Sequence, residues 1–186
     1  FGFLLGCHAF AASQPPNIVL FLVDDMGWQD TSVPFHSERT PFNDHFRTPN
    51  MERLAKQGVK FTQAYAAAVC SPTRTSIMTG QNPIRHKVTN WTLNKNGETS
   101  GKTARLQAPV NWKRNGLQPD AITLPKLLQG AGYYTIHAGK AHWGAHDTPG
   151  SNPKNLGFDA NIAGHAAGGP GGWYGKTNFG NNSDGT

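Results

Sequence analysis

Cysteine, long apolar runs and clustered charge are all scarce in this chain of 186 residues. Its two cysteines, Cys7 and Cys70, are too few for a disulfide framework. Charged residues make up 15% of the chain, and its 17 lysines and arginines are scattered, so the net charge of +6 forms no basic stripe for nucleic acid. No apolar run is long enough for a membrane-spanning helix. We therefore expect one compact domain that binds no nucleic acid.

The segment from Phe1 to Ala12 is apolar and ends in small side chains. Such a segment is typical of the end of a secretory signal peptide, and residues 9–11 (AFA) fit a small-x-small cleavage site. Two alternatives stay open: residues 4–7 (LLGC) resemble a bacterial lipobox that would make Cys7 a lipid anchor, or the segment is a buried strand. We expect an exported protein, periplasmic, secreted or held at the cell surface, whose folded part is residues 13–186.

Segments typical of strands alternate with segments typical of helices. Residues 17–23 (NIVLFLV) form a continuous apolar run of the kind that is buried on both faces in a parallel sheet. Further strands are predicted at residues 59–65 and 133–138, helices at residues 49–57 and 120–128, and a polar insertion that lines the site at residues 82–119. This alternation predicts an α/β fold.

The pentapeptide at residues 70–74 (CSPTR) places a lone thiol at a predicted helix start. Ser71 is a good N-cap, and Pro72 suits the first helical position, where its missing N–H costs nothing. The helix is predicted to continue to Gly80. Cys70 would then lie at the positive end of the helix dipole, with Arg74 one turn further on, and this environment favours negative charge.

Two further pairs of polar residues lie at predicted strand ends. Asp24 and Asp25 follow the strand at 17–23, where two carboxylates can meet on one hard cation such as calcium or magnesium. Lys140 and His142 follow the strand at 133–138 and would lie on one side of an extended backbone, offering an anion site and a proton acceptor. Taken singly, each pair is more typical of a solvated loop or strand end than of a site.

Together these features resemble the sulfatase family, whose fold is similar to that of alkaline phosphatase. CSPTR matches the family signature Cys-x-Pro-x-Arg, and Thr79-Gly80 matches its usual continuation. The segments 17–27, 48–55 and 139–144 resemble the family's opening strand with its metal-binding turn, the helix that follows, and its Gly-Lys-Trp-His segment, here with Ala141 at the usual Trp. The resemblance implies an alkaline-phosphatase-like sandwich with a central, mostly parallel sheet.

The resemblance also implies the chemistry. In the family the cysteine corresponding to Cys70 is oxidised after synthesis to formylglycine by a dedicated modification enzyme. The hydrated aldehyde attacks the sulfur of a sulfate ester. By the same resemblance, Asp24, Asp25 and the converted Cys70 bind a divalent cation, Ca²⁺ or alternatively Mg²⁺.

Three more residues receive roles from the resemblance. Arg74 would hold the hydrated aldehyde, Lys140 would bind the sulfate oxygens, and His142 would be the catalytic base. The implied enzyme is a sulfuric ester hydrolase that acts on sulfated carbohydrates or polysaccharides.

The family's remaining metal ligands, second sulfate-binding lysine and leaving-group acid come from a later segment and cannot be assigned up to Thr186. The resemblance therefore covers the N-terminal part of a catalytic domain, and this part alone is expected to be inactive. The alternatives are a phosphate or phosphonate monoester hydrolase of the same superfamily and an inactive truncated product. Of the other histidines, His137 is predicted to be a core residue, and His165 to be either a substrate contact or solvated.

Overall fold

The computed structural model describes residues 14–98, 100 and 106–169. The predicted signal segment, Cys7 and the end of the glycine-rich stretch lie outside these residues, so export and lipid anchoring stay predictions. The chain divides into two compact units, Phe1–Thr62 and Gln63–Thr186. In the described part of the chain, no helix is both long and apolar enough to cross a membrane.

The first unit contains a 3-10 helix, Pro41–His45, and helix α1, Pro49–Gln57. The predicted bounds of α1 are confirmed: Pro49 opens the helix, and the N–H of Gly58 closes it by donating to the carbonyl of Leu54 at 2.9 Å. Polar groups fix the loop before it, since the Ser32 hydroxyl donates to the Glu52 carboxylate at 2.6 Å.

The strands predicted at residues 17–23 and 59–65 are not formed in the described part of the chain. Residues 17–23 form no helix or strand, and Val19 and Phe21 are 87% and 85% exposed. Residues 59–65 likewise form no strand, and Phe61 is exposed. A strand is stabilised by its hydrogen-bonded neighbour, and no described segment supplies one to either stretch.

The second unit contains helices α2 (Cys70–Thr79), α3 (Pro83–His86) and α4 (Leu124–Gly130) and strands β1 (Ile136–Ala138) and β2 (Ala160–Ile162). The strands pair in parallel, with His137 opposite Asn161. β1 is the end of the strand predicted at 133–138, whereas β2 was not predicted. A parallel pair joined through helical segments agrees with the predicted α/β class.

Helix α4 begins four residues later than predicted, because Thr123 precedes it in an extended conformation and Pro125 lies in its first turn. The side chain of Thr123 makes no cap. Its hydroxyl donates instead to the carbonyl of Leu156 at 2.5 Å, and this bond ties the start of α4 to the 3-10 helix Pro153–Leu156.

The hydrophobic core of the second unit includes one residue of helix α2, Met78. Its buried members are Met78, Leu117, Ala141, Trp143 and Leu156, and the partly buried Ala121 and Phe158 pack against them. Leu117 belongs to the stretch 82–119, which was predicted to be a polar insertion. That prediction is wrong in part, because this stretch contributes a core residue and helix α3.

Candidate active site

Helix α2 begins at Cys70, two residues before its predicted first helical position. Val69 is the N-cap residue, and the expected capping by the Ser71 hydroxyl is not formed. Ser71 is fully buried, and its Oγ accepts the backbone N–H of Thr92 at 3.3 Å. The predicted end is confirmed, since Gly80 closes the helix with φ 65°. Cys70 thus lies in the first turn, where N–H groups without helical partners favour negative charge.

Cys70 and His142 are 72 residues apart in sequence and in contact in the structure. Cys70 Sγ lies 3.3 Å from His142 Nδ1. The cysteine is half-buried, whereas His142 is buried. The backbone N–H of His142 donates to the carbonyl of His165 at 3.0 Å. The imidazole of His142, a nitrogen base, therefore faces Cys70 Sγ, the atom of the residue that the sequence predicts to be reactive.

Arg74 lies one turn along α2 and is joined to the same segment. Its side chain is only 6% exposed, and Nη1 donates to the carbonyl oxygen of Lys140 at 2.5 Å. The guanidinium thus holds the backbone between the two predicted site residues, Lys140 and His142. A buried arginine adds positive charge close to the start of the helix.

Lys140 and His142 approach one point, although the extended backbone expected between them is not present. Gly139 has φ 96° and His142 has φ 57°, so the chain turns after β1. An ideal Cβ placed on Gly168 would lie 3.2 Å from His142 Cε1 and 3.8 Å from Lys140 Nζ. The turn after β1, rather than an extended strand, brings both side chains to one surface.

His137 is buried, as predicted, and it contacts the turn after β1. Its Nδ1 lies 3.0 Å from Asn161 Oδ1, and its Nε2 lies 3.3 Å from the carbonyl oxygen of Lys140. The edge of its ring meets Trp143, with 4.9 Å between ring centroids. Burial lowers the pKa of His137; hydrogen bonds to Asn161 and the Lys140 carbonyl oppose this effect, and the charge of Arg74 adds to it.

Asn161 is a supporting residue that the sequence did not reveal. Its amide Nδ2 donates to the carbonyl of Gly164 at 2.9 Å, which turns Oδ1 towards His137. The two residues face each other because β1 and β2 pair in this register. The short Ala-Asn-Ile segment was the available signal, but three residues are too few to predict a strand.

Two other histidines, His165 and His86, are buried and hydrogen-bonded within the second unit. His165 is 5% exposed, so the prediction that it might be solvated is wrong; its Nδ1 accepts the N–H of Ala167 at 2.9 Å. His86 is buried with its Nε2 3.0 Å from the Ser76 hydroxyl. Burial lowers the pKa of His86, the hydrogen bond to the Pro72 backbone opposes this, and nearby Lys113 lowers it further.

Asp24 and Asp25, the predicted metal ligands, lie in the first unit. The chain turns at this pair, and Asp25 has φ 57°. Both side chains are exposed. Two exposed carboxylates at a turn are hard oxygen donors that fit calcium or magnesium. No group of three or more His, Cys, Asp or Glu side chains suited to a metal occurs among residues 14–98, 100 and 106–169, and the metal site stays a prediction.

Comparison with known proteins gives one consistent result. The sulfatase family model matches residues 16–183. Among curated proteins, an uncharacterised sulfatase of Schizosaccharomyces pombe is 36% identical over 154 residues, which are 82% of this chain and 25% of the relative. Human N-acetylgalactosamine-6-sulfatase is 36% identical over 155 residues, 83% of this chain and 26% of the relative. The chain thus spans about a quarter of the length of these relatives.

A solved structure gives the same result for the fold. The crystal structure of Ps i-CgsB matches with a TM-score of 0.56 and 32% identity, covering 80% of this chain and 28% of that one. The same protein in complex with k-i-k-neocarrahexaose matches equally well, at 31% identity. These likenesses agree with the α/β, alkaline-phosphatase-like fold predicted from the sequence, of which this chain holds a part.

Proposed function

The chain belongs to the sulfatase family, and from this membership we propose that the whole protein hydrolyses sulfate esters with a formylglycine made from Cys70. The observation that carries the proposal is the contact of Cys70 Sγ with His142 Nδ1 at 3.3 Å, at the first turn of α2. A base beside the nucleophile position is the arrangement that covalent catalysis requires.

The nucleophile is the hydrated aldehyde of the converted Cys70. The oxygen of one of its two hydroxyls would attack sulfur while the bond from sulfur to the ester oxygen breaks. The attacking hydroxyl gives up one proton and the ester oxygen takes up one, so that the substrate leaves as the alcohol. The second hydroxyl then loses its proton to His142. Its electrons re-form the C=O bond, the bond from carbon to the sulfate oxygen breaks, and sulfate departs. Water hydrates the aldehyde for the next cycle.

The positively charged side chains of Arg74 and Lys140 have different roles in this proposal. Arg74 is anchored on the Lys140 carbonyl, so its charge is held fixed near the reacting oxygens rather than being free to follow them. The Lys140 ammonium neutralises the sulfate oxygens as negative charge moves onto them. Fixed charges of this kind stabilise a transition state without having to reorganise.

A divalent cation would be held by Asp24, Asp25 and an oxygen of the converted Cys70. Carboxylates and a hydroxyl are the donors that calcium and magnesium prefer. When bound, such a cation supplies Lewis-acid stabilisation of the ionised hydroxyl. We infer calcium, with magnesium as the alternative, and a calorimetric titration of the protein with each ion compares them; Asp25→Asn is expected to weaken binding of the preferred ion.

Sulfated carbohydrates are the proposed substrate class. Support comes from the names of two relatives: human N-acetylgalactosamine-6-sulfatase acts on a sulfated sugar by its name, and Ps i-CgsB has been solved with a neocarrahexaose. Export, expected from Phe1 to Ala12, would bring the enzyme to extracellular polysaccharides and belongs to the same proposal. Rates on a sulfate and a phosphate monoester, measured on one preparation, test the ester class.

Formylglycine formation is the decisive test. The chain is produced in cells that convert a control sulfatase, and the tryptic peptide of residues 61–74 is weighed. We expect an aldehyde at Cys70 in the wild type and none in Cys70→Ala. His142→Gln is expected to be converted like the wild type, since the modification reads the CSPTR segment, and to lose turnover when the substitution is made in the whole protein. An unmodified thiol in the wild type, with the control converted, would refute the proposal.

A further inference from the structure

The turn formed by residues 163–169 follows β2 and lies against the Cys70 site. We call it the His165 turn. It is anchored at two places: the Gly164 carbonyl accepts from Asn161 Nδ2 at 2.9 Å, and the His165 carbonyl accepts from the His142 N–H at 3.0 Å. Within the turn, the Ala167 N–H donates to His165 Nδ1 at 2.9 Å. Its first half, residues 163–166, is buried. The turn is therefore fixed up to Ala167.

Two glycines of this turn, Gly164 and Gly168, lie directly against His137 and His142. A Cβ on Gly164 would overlap both the Nδ1 atom of His137 and the Oδ1 atom of Asn161. A Cβ on Gly168 would lie 3.2 Å from Cε1 and 3.3 Å from Nδ1 of His142. Both values for Gly168 are tighter than nine in ten contacts of real Cβ atoms. The absence of side chains here lets the turn close on both rings.

The ring of His142 has little room to retreat from an added methyl group at Gly168. Nδ1 is already 3.3 Å from Cys70 Sγ, and the backbone is held at φ 57° with its N–H bonded to the His165 carbonyl. A shift of a few tenths of an ångström must therefore appear either in the distance from His142 to Cys70 or in the outer half of the turn.

We propose that Gly168 is a positioning residue for His142, and that the closed His165 turn holds the imidazole against residue 70. In its catalytic consequence this inference rests on the proposed function, but the packing that it describes does not. Gly168 touches no reacting atom in this account. It acts by leaving free the space that a Cβ would occupy 3.2–3.3 Å from the His142 ring.

Gly169 provides a matched control for the substitution. A Cβ there meets nothing within 4 Å, and neither Gly168 nor Gly169 has a positive φ. Either substitution restricts the unfolded chain, and the one at Gly169 restricts it further because Pro170 follows. The comparison of Gly168→Ala with Gly169→Ala is therefore made on the signal of His142 in the folded chain, which reports the contact with its ring.

The first readout is spectroscopic and needs no activity. Histidine labelled with ¹³C is introduced into the chain with Cys70 as the thiol, and the Cε1–H signal of His142 is assigned by its loss in His142→Gln. We expect that signal to shift in Gly168→Ala and to stay in place in Gly169→Ala. Equal spectra for the two variants would overturn the inference, as would a wild-type His142 signal at the position found in urea.

A double substitution covers the case in which Gly168→Ala folds poorly. Removing the ring in His142→Ala vacates the space, so adding Gly168→Ala to it is expected to leave the urea midpoint unchanged or to raise it slightly, although Gly168→Ala alone lowers the midpoint. An equal loss in both backgrounds would mean that the methyl group clashes elsewhere, and the inference would be wrong.

Kinetics link the contact to catalysis. In converted, active enzyme, Gly168→Ala is expected to lower kcat on the order of tenfold, as small displacements of a catalytic group do, and to alter the pH profile of kcat, which a general loss of stability does not. A shifted His142 signal, together with no sulfatase turnover in the whole, converted protein, would uphold the positioning role and refute the proposed function. Unshifted signals in an active sulfatase would do the reverse.

Discussion

Acid should destabilise the second unit through His137, the buried imidazole beneath the site. Its ring is 9% exposed and lies between Asn161 Oδ1 and the Lys140 carbonyl. Burial lowers its pKa from the usual value of 6.5 in spite of these acceptors. As the pH falls below that value, the unfolded chain takes up a proton that the folded chain still refuses, so the free energy of unfolding decreases.

The magnitude follows from the count of protons. One proton bound by the unfolded chain alone changes the free energy of unfolding by about 1.4 kcal/mol per pH unit at most. His86, whose pKa burial also lowers, has the same limit. The two histidines together therefore contribute at most about 2.7 kcal/mol per pH unit to the slope of the free energy of unfolding, at pH values below the usual histidine pKa. Above it, both imidazoles are neutral in either state and contribute no slope.

Urea unfolding at a series of pH values measures this slope. His137→Gln changes the stability at every pH, but it also removes one titrating group, so its curve should be flatter than that of the wild type by up to about 1.4 kcal/mol per pH unit. His86→Gln should flatten the curve in the same sense. His146→Gln, in the same unit, controls for the loss of an imidazole. An unchanged slope in His137→Gln would refute the argument.

Two further predictions concern stability in the second unit. Gly150→Ala should abolish folding of this unit or lower its melting temperature sharply, because an added Cβ would overlap the Leu117 carbonyl oxygen, whereas Gly130→Ala, with nothing within 4 Å, should leave or raise stability by about 0.4–1 kcal/mol; thermal melts compare the two. Asp159 accepts the backbone N–H of Thr135 at 2.7 Å, and this bond lowers the pKa of its carboxyl. Its stabilisation should therefore be lost as the pH falls below 3.8, so wild type and Asp159→Asn should converge in acid; curves that stay parallel would contradict this.

The elements that could be predicted from the sequence are those whose signals are local. Helix α1 has a proline at its start and a glycine at its end, and it forms with the predicted bounds. Helix α2 ends at Gly80 as predicted. Its start was displaced because Ser71, a good capping residue by type, bonds to Thr92 instead. A partner 21 residues away cannot be read from the capping pattern.

Pairings between distant segments could not be predicted in the same way. An apolar run such as 17–23 indicates a residue type suited to a sheet, but a strand also needs a neighbour in register. The register of β1 and β2 places Asn161 opposite His137, and this single alignment fixes the ring that supports Lys140. The predicted catalytic and binding residues can be recognised in the sequence by residue type and spacing. The residues that hold them in place can be identified only once the fold is known.

The segment after β1 illustrates how packing decides a departure from a family pattern. Ala141 occupies the position where the sulfatase segment usually has Trp, and the structure buries it at 1% exposure in the same cluster as Trp143. Trp143 stacks on Phe158 at 5.7 Å and meets the edge of His137. A large ring at 143 with a methyl group at 141 fills this core, and a second indole at 141 would overpack it, which typically costs about 1–3 kcal/mol. In this chain, therefore, the aromatic support beneath Lys140 and His142 comes from Trp143.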